Sequence, residues 1–251
     1  MGGRRLALLL VLASLAMALL VGLGFWQLQR MEWKNALIAD LERSIATDPI
    51  PYAPRVDPTS GSRQFQRVVA TGRFDSGQTV HVLTPSRGRP GVAGFGYHVF
   101  TPLVTPKGTV IVNRGYVPTR QALASETVAL GAAAEVVVRG IIRDPDDGGG
   151  FVPKPKVEQR LFYSANVKEM AAAYGWSAQP SFITHEYIEA DKTNTAPGMW
   201  PEGRDPQELL ARISNRHLEY ALTWFGLAAT LFAVMLIYIL RASRRDAGAK
   251  T

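Results

Sequence analysis

Four histidines and no cysteine bound the chemistry open to this chain. Without a thiol there is no cysteine nucleophile, no disulfide and no thiolate metal site, so an exported domain must be held by packing alone and cannot carry copper on sulfur. His81 and His185 have no metal-like spacing to anything nearby. His98 lies on an expected strand bounded by glycines, where a lone imidazole is either a satisfied structural group or a ligand. Asp146-Asp147, ahead of Gly148-Gly149-Gly150, reads as a solvated loop rather than a carboxylate pair. His217 sits just before an apolar stretch that starts at Ala221, in line with Tyr220 and Trp224. From the residues alone, an imidazole in that place is an amphipathic interfacial side chain. No Ser/His/Asp motif, metal cluster or phosphate loop appears, so an enzyme is not expected.

The elements around His217 explain its position. Two uncharged stretches, Leu6 to Phe25 and Ala221 to Leu240, each have the ~20 residues that a helix needs to cross ~30 Å of hydrocarbon. Arg4 and Arg5 precede the first; Arg241, Arg244, Arg245 and Lys250 follow the second. These six basic residues against Asp246 supply +5 of the formal net charge of +7. The charge therefore reports topology, with both tails cytoplasmic, and not nucleic-acid binding. A secretory signal peptide is the competing account of the N-terminus, since Ala16-Met17-Ala18 resembles a cleavage site. The apolar run continues past it to an interfacial Phe25-Trp26, as a retained anchor would.

The expected organisation is a tail (1–5), a first span (6–25), an outer region with a helical stalk and a β-rich domain (26–205), a second stalk (206–220), a second span (221–240) and a tail (241–251). After Phe25 a helical pattern persists through Trp26, Trp33, Leu37 and Leu41, and the prolines of Asp48 to Pro54 begin a linker. Strand patterns follow at Phe65 to Phe74, Thr79 to Leu83, Tyr97 to Leu103, Thr109 to Asn113 and Glu135 to Ile142. The connections Phe74 to Gly77 and Thr105 to Gly108 are too short for a crossover helix, which predicts antiparallel neighbours. Asn166 with Glu169 forms an Asn-led capping box that opens a short helix toward Tyr174; Ser181 to Glu189 returns to strand. The fold class is thus membrane α+β: two transmembrane helices flanking a mainly antiparallel β domain with one or two helices.

Asp205-Pro206-Gln207-Glu208 is a helix start, and the helix is expected to run unbroken through Leu240 with Leu210, Ile213, His217, Tyr220 and Trp224 on one stripe. The two stalks can then pair. Within the bilayer, Ser14, Ala18 and Gly22 form a small-residue face, with Gly226 and Thr230 similarly spaced on the second span.

Four local sequences, taken together and in order, resemble the surfeit locus protein 1 family. They are Gly24-Phe25-Trp26-Gln27-Leu28 with Arg30, Trp33 and Lys34; Gly94-Phe95-Gly96-Tyr97-His98-Val99 running into Thr101-Pro102-Leu103; Val112-Asn113-Arg114-Gly115-Tyr116-Val117-Pro118; and Asn215-Arg216-His217-Leu218-Glu219-Tyr220 with Thr223-Trp224-Phe225. Tyr116 departs from the tryptophan more usual in the family, and an aromatic ring is kept.

The resemblance implies an assembly factor for haem-copper terminal oxidases, especially cytochrome c oxidase, that aids delivery or insertion of haem a. Its partners would be the oxidase catalytic subunit and haem a synthase, in the bilayer of a bacterial-type inner membrane, with the central domain periplasmic. Haem a would need an axial ligand, an apolar cleft and cations for its propionates. His217 is the expected ligand of the iron. Arg30, Lys34 and Arg216 are candidate propionate partners, or else snorkel to lipid phosphates. Trp26, Trp33, Tyr220 and Trp224 would wall the porphyrin, or else form an interfacial belt. Arg114, at an expected strand end, would contact a partner or sit in an ion pair. The runner-up reading is a membrane scaffold that stabilises oxidase intermediates without binding haem; a sensor or envelope enzyme built on the β domain is a third.

Overall fold

The computed structural model describes residues 3–55, 61–85, 94–118, 134–179, 181–196 and 199–248; Lys250 of the basic C-terminal tail lies outside them. The chain divides into two compact units, one made of Met1–Ala39 with Ile213–Thr251 and the other of Asp40–Arg212.

The first unit is a pair of long helices, α1 (Gly3–Ala46, whose last turns belong to the second unit) and a C-terminal helix (His217–Gly248). Both are long and apolar enough to cross a membrane. Leu8, Leu12, Leu15, Leu19, Leu222 and Phe232 are exposed along them, a continuous apolar surface that water would not tolerate and lipid would. They run antiparallel: contacts from the C-terminal helix move down α1 from Asn35 to Gln27 to Gly24 as its own numbering rises from 215 to 225.

The less exposed residues of α1 include Leu10, Ala13, Met17, Leu20, Gly24, Gln27, Met31, Lys34 and Ile38. Alternating steps of three and four mark a knobs-into-holes seam. On the facing helix, His217, Ala221, Trp224, Ala228, Leu231 and Met235 repeat in the same way. At Gly24 the helices leave no room for a side chain, since a Cβ there would fall 2.5 Å from the Phe225 ring, which meets Phe25 edge-on at 5.5 Å. The small-residue face expected at Ser14, Ala18 and Gly22 is not this seam. All three are exposed, and a Cβ on Gly22 or Gly226 meets nothing within 4 Å.

In the second unit, β2 (Arg67–Phe74), β6 (Val136–Arg143), β8 (Phe182–Ala190), β5 (Gly108–Val117) and β4 (Phe95–Thr105) pair in that order. Arg73 and Phe74 then pair with Val104 and Leu103, which closes the sheet into a five-stranded barrel. Only the β5–β8 contact in this circuit is parallel. The two-residue β1 (Ile50–Pro51) adds to β2, β3 (Val80–Pro85) adds to β4, and the two-residue β7 (Leu161–Phe162) adds to β3. The mainly antiparallel β domain expected from the strand patterns is therefore present.

Two expectations change. The segment expected as a linker is built into the domain: Ile50–Pro51 forms β1, and Tyr52 is buried with its hydroxyl on Glu186 at 3.0 Å. The Phe74-to-Gly77 connection is not a hairpin, because β4 is long enough to pair with β3 along one half and β2 at the other.

Residues Val110, Ile111 and Val112 show why β5 reads as a continuous apolar run. Val110 and Val112 point into the barrel with Val68, Leu103 and Ile188, while Ile111 joins an outer core of Phe100, Phe162, Met170 and Trp176. Both faces are dry. That outer core is covered by α2 (Val167–Ala173), whose first turn is capped as expected: Asn166 Oδ1 accepts from the Glu169 N–H at 3.1 Å. Within β5, Arg114 is the extra residue of a bulge, because Val99 pairs with Gly115 and Phe100 with Asn113. Asn113 Oδ1 accepts the Gly115 N–H, Gly115 takes φ +128°, and Arg114 stacks over Phe74 at 4.9 Å. The expected strand end is thus mid-strand.

The end of α1 is part of this unit: Leu41 is fully buried, the Ser44 hydroxyl donates to the Phe65 carbonyl, and Arg67 donates to the carbonyls of Ile45 and Thr47. Strand β8 and the residue after it bury three carboxylates. Glu186 meets Arg63 at 2.5 Å, Glu189 meets Arg143 at 2.8 Å and Arg204 at 3.0 Å, and Asp191 lies 3.9 Å from Arg67. Burial raises the Asp191 pKa against the pull of Arg67.

His185 gives a pH prediction. Burial lowers its pKa, opposed by Glu186. The folded state therefore prefers neutral imidazole, so its contribution to stability is complete above the unfolded histidine pKa of about 6.5 and declines as pH falls through that value toward the lower folded pKa. A thermal unfolding series should show the midpoint falling modestly over that window. His185→Asn should flatten this component, and a slope unchanged by the substitution would assign it elsewhere.

Candidate functional site

The C-terminal approach to the second span is not one helix. Asp205 caps α3 (Pro206–Arg212), accepting the Gln207 N–H at 2.9 Å, and the helix then stops; α4 (His217–Gly248) starts afresh. Ser214 and Asn215 cause the break, being residues whose polar groups compete for backbone partners. Their own groups are taken by α1. Lys34 Nζ donates to the Ser214 carbonyl at 3.1 Å, and Asn215 Nδ2 donates to Asn35 Oδ1 at 2.7 Å and to the Met31 carbonyl at 3.4 Å. The expected stripe is cut accordingly: Leu210 and Ile213 precede the break, and only His217, Tyr220 and Trp224 share a helix.

The break puts His217 at the first position of α4, on the seam between the two helices. Its Nδ1 lies 2.7 Å from Gln27 Oε1. Among the described residues, Nε2 has no hydrogen-bond partner, which leaves that nitrogen available to a ligand. Trp224, two turns along the same face, is half-buried, while Tyr220 and Trp26 are more than half exposed. The structure thus gathers His217 and Trp224 on the seam, with Tyr220 and Trp26 on outward faces.

The three candidate cations are all engaged. Arg30 stacks over the Trp33 ring at 4.0 Å. Arg216 gives two N–H groups to Glu219 Oε2, at 2.6 and 3.0 Å, so its charge is compensated by a carboxylate. Lys34 meets only neutral carbonyl oxygen, and it and Arg30 keep an uncompensated charge among the described residues. An anionic group would find Lys34 and Arg30 before Arg216.

These are the parts a haem would require. Nε2 of His217 would hold the iron, Lys34 and Arg30 would face carboxylates, and Trp224 and Tyr220 would offer apolar rings beside a hydrocarbon-facing surface. The orphan nitrogen on a tethered imidazole is the feature that fits. Gln27 and Asn215 enter the sequence reading only as members of the motifs that carry the resemblance, with no role of their own, and Asn35 does not enter it, although the three-four repeat through Gly24, Gln27, Met31 and Lys34 places Gln27 on the seam.

The β unit offers less. Two open clefts of about 900 and 940 Å³ are lined by mixed charges, the first including Asp144, Asp146 and His185 and the second Arg67, Asp191 and Glu202. Among the described residues no three His, Asp or Glu side chains are placed to hold a metal ion. Asp146 and Asp147 cap their own turn, accepting the N–H groups of Gly148 and Gly149, as a solvated loop does. His81 and His98 make edge-on ring contacts with Tyr97 and Tyr116.

Residues 14–229 match the SURF1 family. The mouse "Surfeit locus protein 1" is 35% identical over 222 residues, covering 83% of this chain and 68% of its own length. The pufferfish Takifugu rubripes protein of the same name is 31% identical, covering 83% and 87%. A "SURF1-like protein" from Rickettsia felis is 26% identical over 234 residues, 88% of this chain and 92% of its own.

Proposed function

This chain belongs to the SURF1 family, and from that premise we propose that it is a non-enzymatic, membrane-anchored assembly factor for a haem-copper oxidase, holding haem a for the catalytic subunit. The observation that carries the reading is the His217 imidazole, fixed through Nδ1 at the mouth of an apolar helix pair with Nε2 open. Bound haem supplies the iron centre and a hydrophobic tail. The chain's own residues do the rest: His217 orients the ligand, Lys34 and Arg30 meet negative charge, and the exposed leucines of α1 and α4 lead the tail into lipid. Haem a synthase on one side and the oxidase subunit on the other would be the donor and acceptor. Antiparallel pairing of α1 and α4 supports both tails lying on one side of a bilayer, and their arginines favour the cytoplasmic side of a bacterial-type cell, with the β barrel in the periplasm.

Purification in detergent from cells that make haem a should give coloured protein with a histidine-ligated spectrum, and His217→Ala should remove most of the colour while leaving the far-UV circular dichroism unchanged. Colourless wild-type protein, or full occupancy in the variant, would reject the reading.

The scaffold alternative gains one observation: Ser14, Ala18 and Gly22 face away from α4, open to a partner helix. Under that reading Gly22→Leu separates the chain from the oxidase and leaves any haem spectrum untouched.

A further inference from the structure

We infer that Gln27 is a positioning residue that sets the tautomer of His217 and so makes Nε2 the metal-binding nitrogen. The inference rests on the reading of His217 as a ligand and adds to it a second residue, on the other helix, with a role of its own.

Gln27 presents Oε1 to His217 Nδ1 at 2.7 Å, a short contact for a neutral pair. An amide oxygen only accepts, so Nδ1 must carry the proton. A neutral imidazole has one ring proton, and with it on Nδ1 the lone pair is on Nε2. An unconstrained histidine side chain in water prefers the opposite tautomer, with Nε2 protonated and unable to ligate. Without Gln27, a metal would have to draw the minor form. With it, the ligating form is already selected.

The geometry around Gln27 explains why a single hydrogen bond can hold this choice. One turn toward the apolar end, Gly24 lies against the Phe225 ring so closely that no side chain fits between them. One turn the other way, Asn215 donates to the Met31 carbonyl and Lys34 donates to the Ser214 carbonyl. Gln27 is therefore fixed in height and in rotation along α1 by contacts on both sides. His217 is fixed by being the first residue of α4, directly after the break. A slip of one residue on either helix would turn the pair apart by about 100° of helix rotation.

Placing the other ring N–H on a carbonyl oxygen is the arrangement that orients metal-bound histidines and raises their basicity, and loss of such a partner typically costs 10–100-fold in metal affinity. A carboxylate at the same position would donate more electron density through the imidazole and lower the reduction potential of a bound iron; an apolar side chain would raise it.

The test has an arm that needs no haem. Full-length, haem-free protein labelled with nitrogen-15 is examined in detergent at about pH 8 by two-bond proton–nitrogen correlation, with His217→Gln used to assign the signal among the four histidines. The expected wild-type pattern is Nδ1-protonated. Gln27→Leu should move His217 to the Nε2-protonated form, and Gln27→Glu, which keeps an acceptor oxygen, should restore the wild-type pattern. An Nε2-protonated wild type, or a pattern indifferent to Gln27→Leu, overturns the inference. In the second arm, protein loaded with haem should bind it 10–100-fold more weakly in Gln27→Leu, while Gln27→Glu retains binding with a more negative midpoint potential. Equal affinity and potential in all three proteins also overturns it. Wild-type protein that takes no haem at all defeats the functional reading instead, and the tautomer result then still decides the role of Gln27.

Discussion

Replacing Glu189 by leucine should destabilise the β barrel by about 3–5 kcal/mol, the range found when one member of a buried charge network is removed. Glu189 is 5% exposed and is shared between Arg143 on β6 and Arg204 beyond the end of β8. Removing it strands two guanidinium groups in the barrel wall, with side chains only 23% and 30% exposed, so solvent cannot fully take over. A domain of this size has about 5–15 kcal/mol of stability in all, so the loss is a large fraction. Native-state hydrogen exchange of the β5 and β8 amides should accelerate by about two to three and a half orders of magnitude, at about 1.4 kcal/mol per decade. Arg204→Met should cost less, since Glu189 keeps Arg143. Exchange rates within about threefold of wild type for Glu189→Leu would show that the network is not a structural element.

The second large effect concerns the helix pair. Gly24→Leu should break the seam between α1 and α4, whereas Gly22→Leu, one helical step of two residues away, should leave it intact. A Cβ at 24 collides with the Phe225 ring at 2.5 Å, and Phe25 packed edge-on against that ring limits its escape; a Cβ at 22 has open space. In lipid there is little hydrophobic force to hold two apolar helices together, so close packing carries the association. Because the chain has no native cysteine, a pair introduced as Asn35→Cys and Asn215→Cys, at side chains 2.7 Å apart, reports pairing without background. Crosslink yield should drop at least about tenfold with Gly24→Leu, equivalent to about 1.4 kcal/mol, and stay at the parent level with Gly22→Leu. Equal yields would mean that the seam lies elsewhere.

The contrast between these two glycines shows where sequence reading stopped. The apolar spans, the β2, β4, β5, β6 and β8 strands, the Asn166 cap and the Asp205 start were legible because each depends on periodicity or on residues within four positions of each other. The small-residue stripe at Ser14, Ala18 and Gly22 satisfies one packing rule and the three-four stripe through Ala13, Met17, Leu20 and Gly24 another, and only the partner helix decides between them. The break at Ser214-Asn215 was missed for a related reason. Serine and asparagine are tolerated in helices, and the partners that hold Ser214 and Asn215 out of one here, Lys34 and Asn35, lie 180 residues earlier in the chain. His217 stood out by its place beside the span. Gln27 did not, since a glutamine acquires meaning only from the imidazole it faces. Asn-Arg-Gly has the composition of a strand end, and recognising the bulge that absorbs Arg114 requires the register against β4.

The barrel closure described above also limits how another protein can take hold of this one. Among the described residues the sheet ends in strands of only two residues on either side, β1 and β7, and the first contains Pro51, which has no N–H to offer. At these two ends an incoming chain meets only a short backbone rail, which disfavours strand addition there. Contacts made at these two ends of the sheet therefore fall mainly to side chains.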